Sequence, residues 1–166
     1  VTVRQLVEGT RRLNDHHMLV VPGGFSYGDD LGAGRVWATV LRHELGEDLN
    51  RFVASGKPVI GICNGFQVLV KTGLLPAGRT GSQKATLTFN DSGRFECRWV
   101  WLEPNPSSPC VFTRELKEPI HCPVAHGEGK FVASETVYEE IEKQNLVALR
   151  YTDENGNRAG YPWNPN

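Results

Sequence analysis

The stretch Val59-Ile60-Gly61-Ile62-Cys63-Asn64-Gly65-Phe66-Gln67 opens as a β-branched run behind Gly56-Lys57-Pro58 and continues as the start of a helix. The run predicts a short buried strand that ends at Cys63. Asn64 to Thr72 predicts a short helix closed by Gly73. Gly61-x-Cys63-x-Gly65 has the form of a nucleophile elbow with cysteine in place of serine. A sharp strand-to-helix turn forces strained dihedrals on the central residue, so the positions two before and two after it must be small. The sulfur then stands at the carboxyl edge of a sheet. The helix that follows directs its free N–H groups and positive dipole end toward the sulfur, which favours the thiolate. A bland reading competes, in which Cys63 is simply a buried thiol at a strand end, the commonest fate of a free cysteine.

Upstream, Met18 to Val21 predicts another strand, and Pro22-Gly23-Gly24-Phe25-Ser26-Tyr27-Gly28-Asp29-Asp30 ends it in a glycine-rich loop. The loop lacks Gly-Lys-Ser/Thr and does not meet the Gly-x-Gly-x-x-Gly spacing, so a nucleotide cradle is not indicated. A strand-end loop beside an elbow has a second use. Its backbone N–H groups can form an oxyanion hole together with the N–H that follows the nucleophile, which assigns Gly24, Phe25 and Asn64. Val36 to Ser55 is the best helical stretch, with Leu41, Leu45, Leu49, Phe52 and Val53 on one stripe, although Gly46 could split it. Strand, crossover helix and elbow strand make a β-α-β unit, hence a parallel pair with right-handed connection. Ligands of such sheets lie at the carboxyl ends of the strands, where the Gly23-Gly24 loop and Cys63 both fall.

Composition sets the class. The 166 residues suit one domain with a proper core, and a formal net charge of −1 gives no basic surface for nucleic acid. No apolar run reaches membrane-spanning length and no signal-peptide pattern opens the chain. Cys63, Cys97, Cys110 and Cys122 are scattered without a Cys-x-x-Cys pair. Because an elbow needs a free thiol, a reducing cytoplasm is expected.

Val3 to Asn14 predicts a helix. Ala85 to Asn90 and Phe95 to Leu102, around Asp91-Ser92-Gly93, predict an antiparallel hairpin with Phe95, Cys97, Trp99 and Trp101 on its core face. Cys110 to Thr113, Ile120 to Ala125 and Leu146 to Tyr151 predict strands, and Val137 to Gln144 a short helix. Asp153 to Asn157 predicts a hairpin turn. Neither His16-His17 nor His121, Cys122 and His126 reads as a metal site, because adjacent strand residues point to opposite faces.

The segments Pro22 to Asp30, Gly61 to Gln67, Gly73-Leu74-Leu75-Pro76, Val124-Ala125-His126-Gly127-Glu128-Gly129-Lys130-Phe131, and Tyr161-Pro162 with Asn164-Pro165-Asn166 occur in this order. Together they resemble the glutaminase subunits of phosphoribosylformylglycinamidine synthases, class I, triad-type glutamine amidotransferases of purine biosynthesis. The resemblance runs from about Val20 to Asn166. It implies an α/β, flavodoxin-like fold: an open, mostly parallel sheet with helices on both faces, plus a small antiparallel hairpin region. It also implies that Cys63 forms a thioester with glutamine, and that Gln67, Gly127 and Glu128 hold the α-amino and α-carboxylate ends of the substrate. Ammonia would pass to a separate synthetase subunit. ATP, Mg²⁺ and the ribonucleotide would belong to that partner, with no cofactor or metal in this chain.

Members of this family carry an extra strand and helix with a Gly-Thr-Asn-Cys-Asp-like loop before the matching region, and a Pro-His-Pro-Glu motif after it. Neither occurs in residues 1–166. The expectation is therefore a single amidotransferase domain truncated at both ends, with an incomplete triad, weak or no activity, and exposed apolar surface. His126 and Glu128 share the two-residue spacing of the missing pair, but the family keeps that motif in addition to its triad. Two other functions compete: a non-catalytic module that binds and regulates a synthetase, and another cysteine-elbow hydrolase of the same fold.

Overall fold

The computed structural model describes residues 1–166, which form two compact units, Val1–Thr86 and Leu87–Asn166. In the first unit, helix α1 (Val3–Val7) begins with a capping box. The Thr2 hydroxyl accepts from the Gln5 N–H at 3.3 Å, and the Gln5 side-chain oxygen accepts from the Thr2 N–H at 2.9 Å. The helix expected through Asn14 stops early because Gly9 turns left-handed at φ 71°, and a 3-10 turn follows at Leu13–Asp15.

Strand β1 (Leu19–Val21), helix α2 (Arg35–Ala54) and strand β2 (Val59–Gly61) make the expected β-α-β unit. β1 and β2 pair in parallel, with Leu19 opposite Val59 and Val21 opposite Gly61. Helix α2 runs unbroken through Gly46. One interior glycine costs about 1 kcal/mol of propensity, whereas each fully buried leucine contributes about 1.5–3 kcal/mol. Leu41, Leu45, Leu49 and Phe52 are buried against Val21, Val68, Leu69 and Leu74. Helix α3 (Asn64–Thr72) follows the elbow and ends at Gly73 (φ 87°), and α4 (Leu74–Ala77) is one turn kinked at Leu75. The α/β class stands, and the parallel sheet consists of two strands. Val20 and Ile62 remain about half exposed, at 46% and 52%.

The chain enters the second unit through β3 (Ala85–Thr88), followed by β4 (Glu96–Pro104), β5 (Ile120–His126), β6 (Lys130–Ala133), α5 (Glu135–Lys143) and β7 (Leu149–Thr152). A three-stranded antiparallel sheet has the order β5-β4-β7, with Glu96 opposite His126 and Trp101 opposite Thr152. The expected hairpin between Ala85–Asn90 and Phe95–Leu102 does not form, because β3 pairs with β6 instead. Buried Asn90 diverts the chain: its N–H donates to the Gly127 carbonyl at 2.9 Å and its side-chain amide to the His126 carbonyl at 2.8 Å.

The alternation along β4 is as expected, but its faces are inverted. Glu96 and Val100 point into the unit, while Trp99 is 63% exposed. Trp101 stacks on His121, with ring centroids 4.2 Å apart, so the aromatic face covers itself. Cys110 to Thr113 is a turn rather than a strand: the Thr113 N–H donates to the Cys110 carbonyl, and Val111 and Phe112 are exposed. The Asp153 carboxylate accepts from the N–H groups of Asn155 and Asn157, which builds the expected turn. No helix is long and apolar enough to cross a membrane.

Candidate active site

Cys63 lies between β2 and α3 with φ 53° and ψ −114°, a left-handed backbone that costs a non-glycine residue about 1–3 kcal/mol. Its surroundings hold that strain in place. The Ile62 N–H donates to the Val21 carbonyl at 3.0 Å, while the N–H groups of Phe66 and Gln67 donate to the Cys63 carbonyl at 2.9 and 3.3 Å. The strand side and the helix side are both anchored. A Cβ on Gly61 would meet the Gly65 carbonyl oxygen at 2.6 Å, so the flanking glycines are required sterically. The thiol is free and exposed at the N-terminus of α3.

The glycine-rich loop abuts Cys63. A Cβ on Gly23 would lie 3.2 Å from the Cys63 Cβ and 4.0 Å from its Sγ. The loop then coils through Gly24 (φ 121°), Tyr27 (φ 56°), Gly28 (φ 72°) and Asp29 (φ 55°). The backbone N–H groups of Gly24, Phe25 and Asn64 have no backbone carbonyl partner in the chain. Donors at such a position remain available to a substrate oxygen. The Phe25 side chain itself is exposed.

Sequence reading missed the side chains that tie this loop to the elbow. Asn64 is 2% exposed. Its Oδ1 accepts from the Ser26 hydroxyl at 2.6 Å, and its Nδ2 donates to Asp29 Oδ1 at 3.2 Å and to Gln67 Oε1 at 3.0 Å. Asp29 Oδ1 also accepts from the Gly34 N–H at 3.0 Å. A carboxylate only accepts, so the orientation of the Asn64 amide is determined. The only available signal was chemical: an Asp-Asp pair at the end of a glycine loop, and an Asn after Cys63, 35 residues apart. Gln67 is buried, with its Oε1 committed to Asn64.

Gly127 and Glu128 belong to the second unit, in the turn between β5 and β6. His126 at the end of β5 shares its Nδ1 with Asn90 Oδ1 at 2.9 Å. Burial pushes its pKa below the ordinary 6.5; the nearby Glu96 carboxylate opposes this shift and Arg98 adds to it. Beneath it, Glu96 and Arg98 form a mostly buried pair at 2.8 Å, with the Arg98 guanidinium 4.6 Å from the centre of the Tyr161 ring. His121 lies against Trp99 and Trp101. No group of three or more His, Cys, Asp or Glu side chains has metal-binding geometry.

The whole chain, residues 1–166, matches the family model of the CobB/CobQ-like glutamine amidotransferase domain. It is 53% identical over 166 residues to the phosphoribosylformylglycinamidine synthase subunit PurQ of Dehalococcoides mccartyi, covering 99% of this chain and 63% of that protein. Its identity to the PurQ subunit of Treponema denticola is 42% over 183 residues, covering 100% of this chain and 67% of that one. A chain in the structure of PurLQS from Thermotoga maritima superimposes with a TM-score of 0.64 at 36% identity, covering 87% of this chain and 59% of that chain. The present chain thus spans about three fifths of the length of the first relative and of the solved structure.

Proposed function

The chain belongs to the CobB/CobQ-like glutamine amidotransferase domain family, and we propose that it is the glutamine-hydrolysing part of a phosphoribosylformylglycinamidine synthase. The Cys63 sulfur attacks the side-chain carboxamide carbon of glutamine. The resulting oxyanion is held by the N–H groups of Gly24, Phe25 and Asn64. The C–N bond then breaks as the nitrogen takes up the proton that the Cys63 thiol gave up, and ammonia leaves a glutamyl thioester. Water attacks that thioester, the C–S bond breaks, and glutamate and thiolate are released. Each oxyanion donor is worth about 3 kcal/mol in such steps.

The observation that carries this reading is the left-handed Cys63 at the N-terminus of α3, with the Gly23 end of the glycine-rich loop packed against it. Gln67, Gly127 and Glu128 are assigned to the amino-acid end of the substrate. His126 is not offered as the base of a triad, since the family carries the His-Gly-Glu-Gly motif in addition to its catalytic His-Glu pair. Both units are read as parts of one amidotransferase domain, working in the cytoplasm. Ammonia goes to a synthetase partner, which holds ATP, Mg²⁺ and the ribonucleotide.

The test is release of glutamate from glutamine, alone and with a synthetase partner. Turnover that disappears in Cys63→Ala supports the reading. Turnover that persists in Cys63→Ala, or its complete absence when the partner is present, contradicts it and favours a non-catalytic module.

A further inference from the structure

We propose that Asn90 is a positioning residue that holds the Gly127-Glu128-Gly129 turn in its glutamine-binding form and locks neutral His126 as the Nδ1–H tautomer. The proposal rests on the reading of Gly127 and Glu128 as glutamine contacts.

Asn90 is 3% exposed and fully engaged. Its backbone N–H donates to the Gly127 carbonyl at 2.9 Å. Its Nδ2 donates to the Arg94 carbonyl at 2.9 Å and to the His126 carbonyl at 2.8 Å. Its Oδ1 accepts from the Gly129 N–H at 3.1 Å and meets His126 Nδ1 at 2.9 Å. One side chain thus grips residues 126 and 129, and its own backbone grips residue 127 between them.

The assignment of donors follows from chemistry. Two carbonyl oxygens at one end of the amide require the NH₂ there, so the other end is the oxygen. An oxygen can only accept, so His126 must carry its proton on Nδ1. The turn also closes over the imidazole. A Cβ on Gly129 would lie 2.3 Å from His126 Cε1 and Nδ1, which leaves no room for a side chain. The side-chain amide of Asn166 donates to the Gly129 carbonyl at 3.0 Å and holds the turn from the far side. Aspartate would set an oxygen against two carbonyls, and serine lacks the reach to both ends.

The test compares Asn90→Asp and Asn90→Ala with the wild-type protein, after confirming a cooperative melt. Three readings are taken: glutamine KM and kcat, the Cys63 alkylation rate with iodoacetamide, and the imidazole ¹⁵N shifts of His126, assigned against His126→Gln. The proposal expects KM to rise about tenfold or more, with kcat and alkylation changed far less. It also expects Nδ1–H in the wild type, lost in Asn90→Ala. Wild-type KM in a folded variant, or an Nε2–H tautomer in the wild type, overturns it. If Asn90→Ala does not fold, Asn90→Asp and the wild-type tautomer decide. A wild-type protein without glutamine turnover is a different result, because it defeats the functional reading and leaves the tautomer claim to its own measurement.

Discussion

A Cβ built on Gly65 would stand 1.9 Å from the carbonyl oxygen of Val21, well inside van der Waals contact. The first turn of α3 therefore presses directly on β1, and the Cys63 elbow is set by backbone against backbone. Gly65→Ala should lower stability by about 3 kcal/mol. It should also abolish reaction of Cys63 with glutamine, because the elbow must open to admit the methyl group. Denaturant unfolding, together with the glutamate assay, checks both.

Asp29 holds the buried Asn64 amide and the Gly34 N–H with one carboxylate. Asp29→Ala should cost about 1–3 kcal/mol, the usual penalty of leaving buried donors unmade. The glycine-rich loop that carries Gly24 and Phe25 would lose this tie to the Asn64 side chain, so kcat should fall about tenfold to a hundredfold with little change in KM. Steady-state kinetics on the folded variant separates this outcome from a general loss of structure.

His126 has its pKa lowered in the folded state by burial, below the ordinary 6.5. As pH falls below that value the unfolded chain takes up a proton that the folded chain resists. The unfolded state then binds more protons, so stability decreases with falling pH. The full contribution is present above pH 6.5 and is lost progressively down to the folded pKa. Unfolding free energies from pH 8 to pH 5 should show this slope in the wild type and a shallower one in His126→Gln. Equal slopes would contradict the assignment.

Glu96 and Arg98 pair at 2.8 Å with side chains 7% and 25% exposed, and Glu96 Oε1, Arg98 Nε and Arg98 Nη2 are buried without partners. Breaking such a pair costs about 3–5 kcal/mol, because the remaining charge stays buried. Glu96→Leu and Arg98→Met should each destabilise by about that much. The double variant should cost less than either single change. A double-mutant cycle showing simple additivity would refute the pairing.

The elbow was legible because its causes are local: a strand end, a helix start and two glycines fix one turn through sterics alone. The apolar stripe Leu41, Leu45, Leu49 and Phe52 was legible for a similar reason, since a single period specifies which face is buried. The second unit was not. Alternation along β4 marks two faces without saying which is inner, and the buried Glu96–Arg98 pair made the charged face the inner one. The supposed hairpin failed because Asn90 ties its loop to residues 126–129, a side-chain effect with no period. The Asn64–Asp29 contact was hidden likewise, since nothing in a linear pattern joins residues 35 apart.

The most direct test of the central claim, that Cys63 attacks glutamine in an assembled pocket, is trapping with a diazo-ketone analogue of glutamine, read by intact mass. One adduct per chain is expected, suppressed by glutamine and absent in Cys63→Ala. A folded protein that forms no adduct, or one labelled equally well in the presence of glutamine, would contradict it.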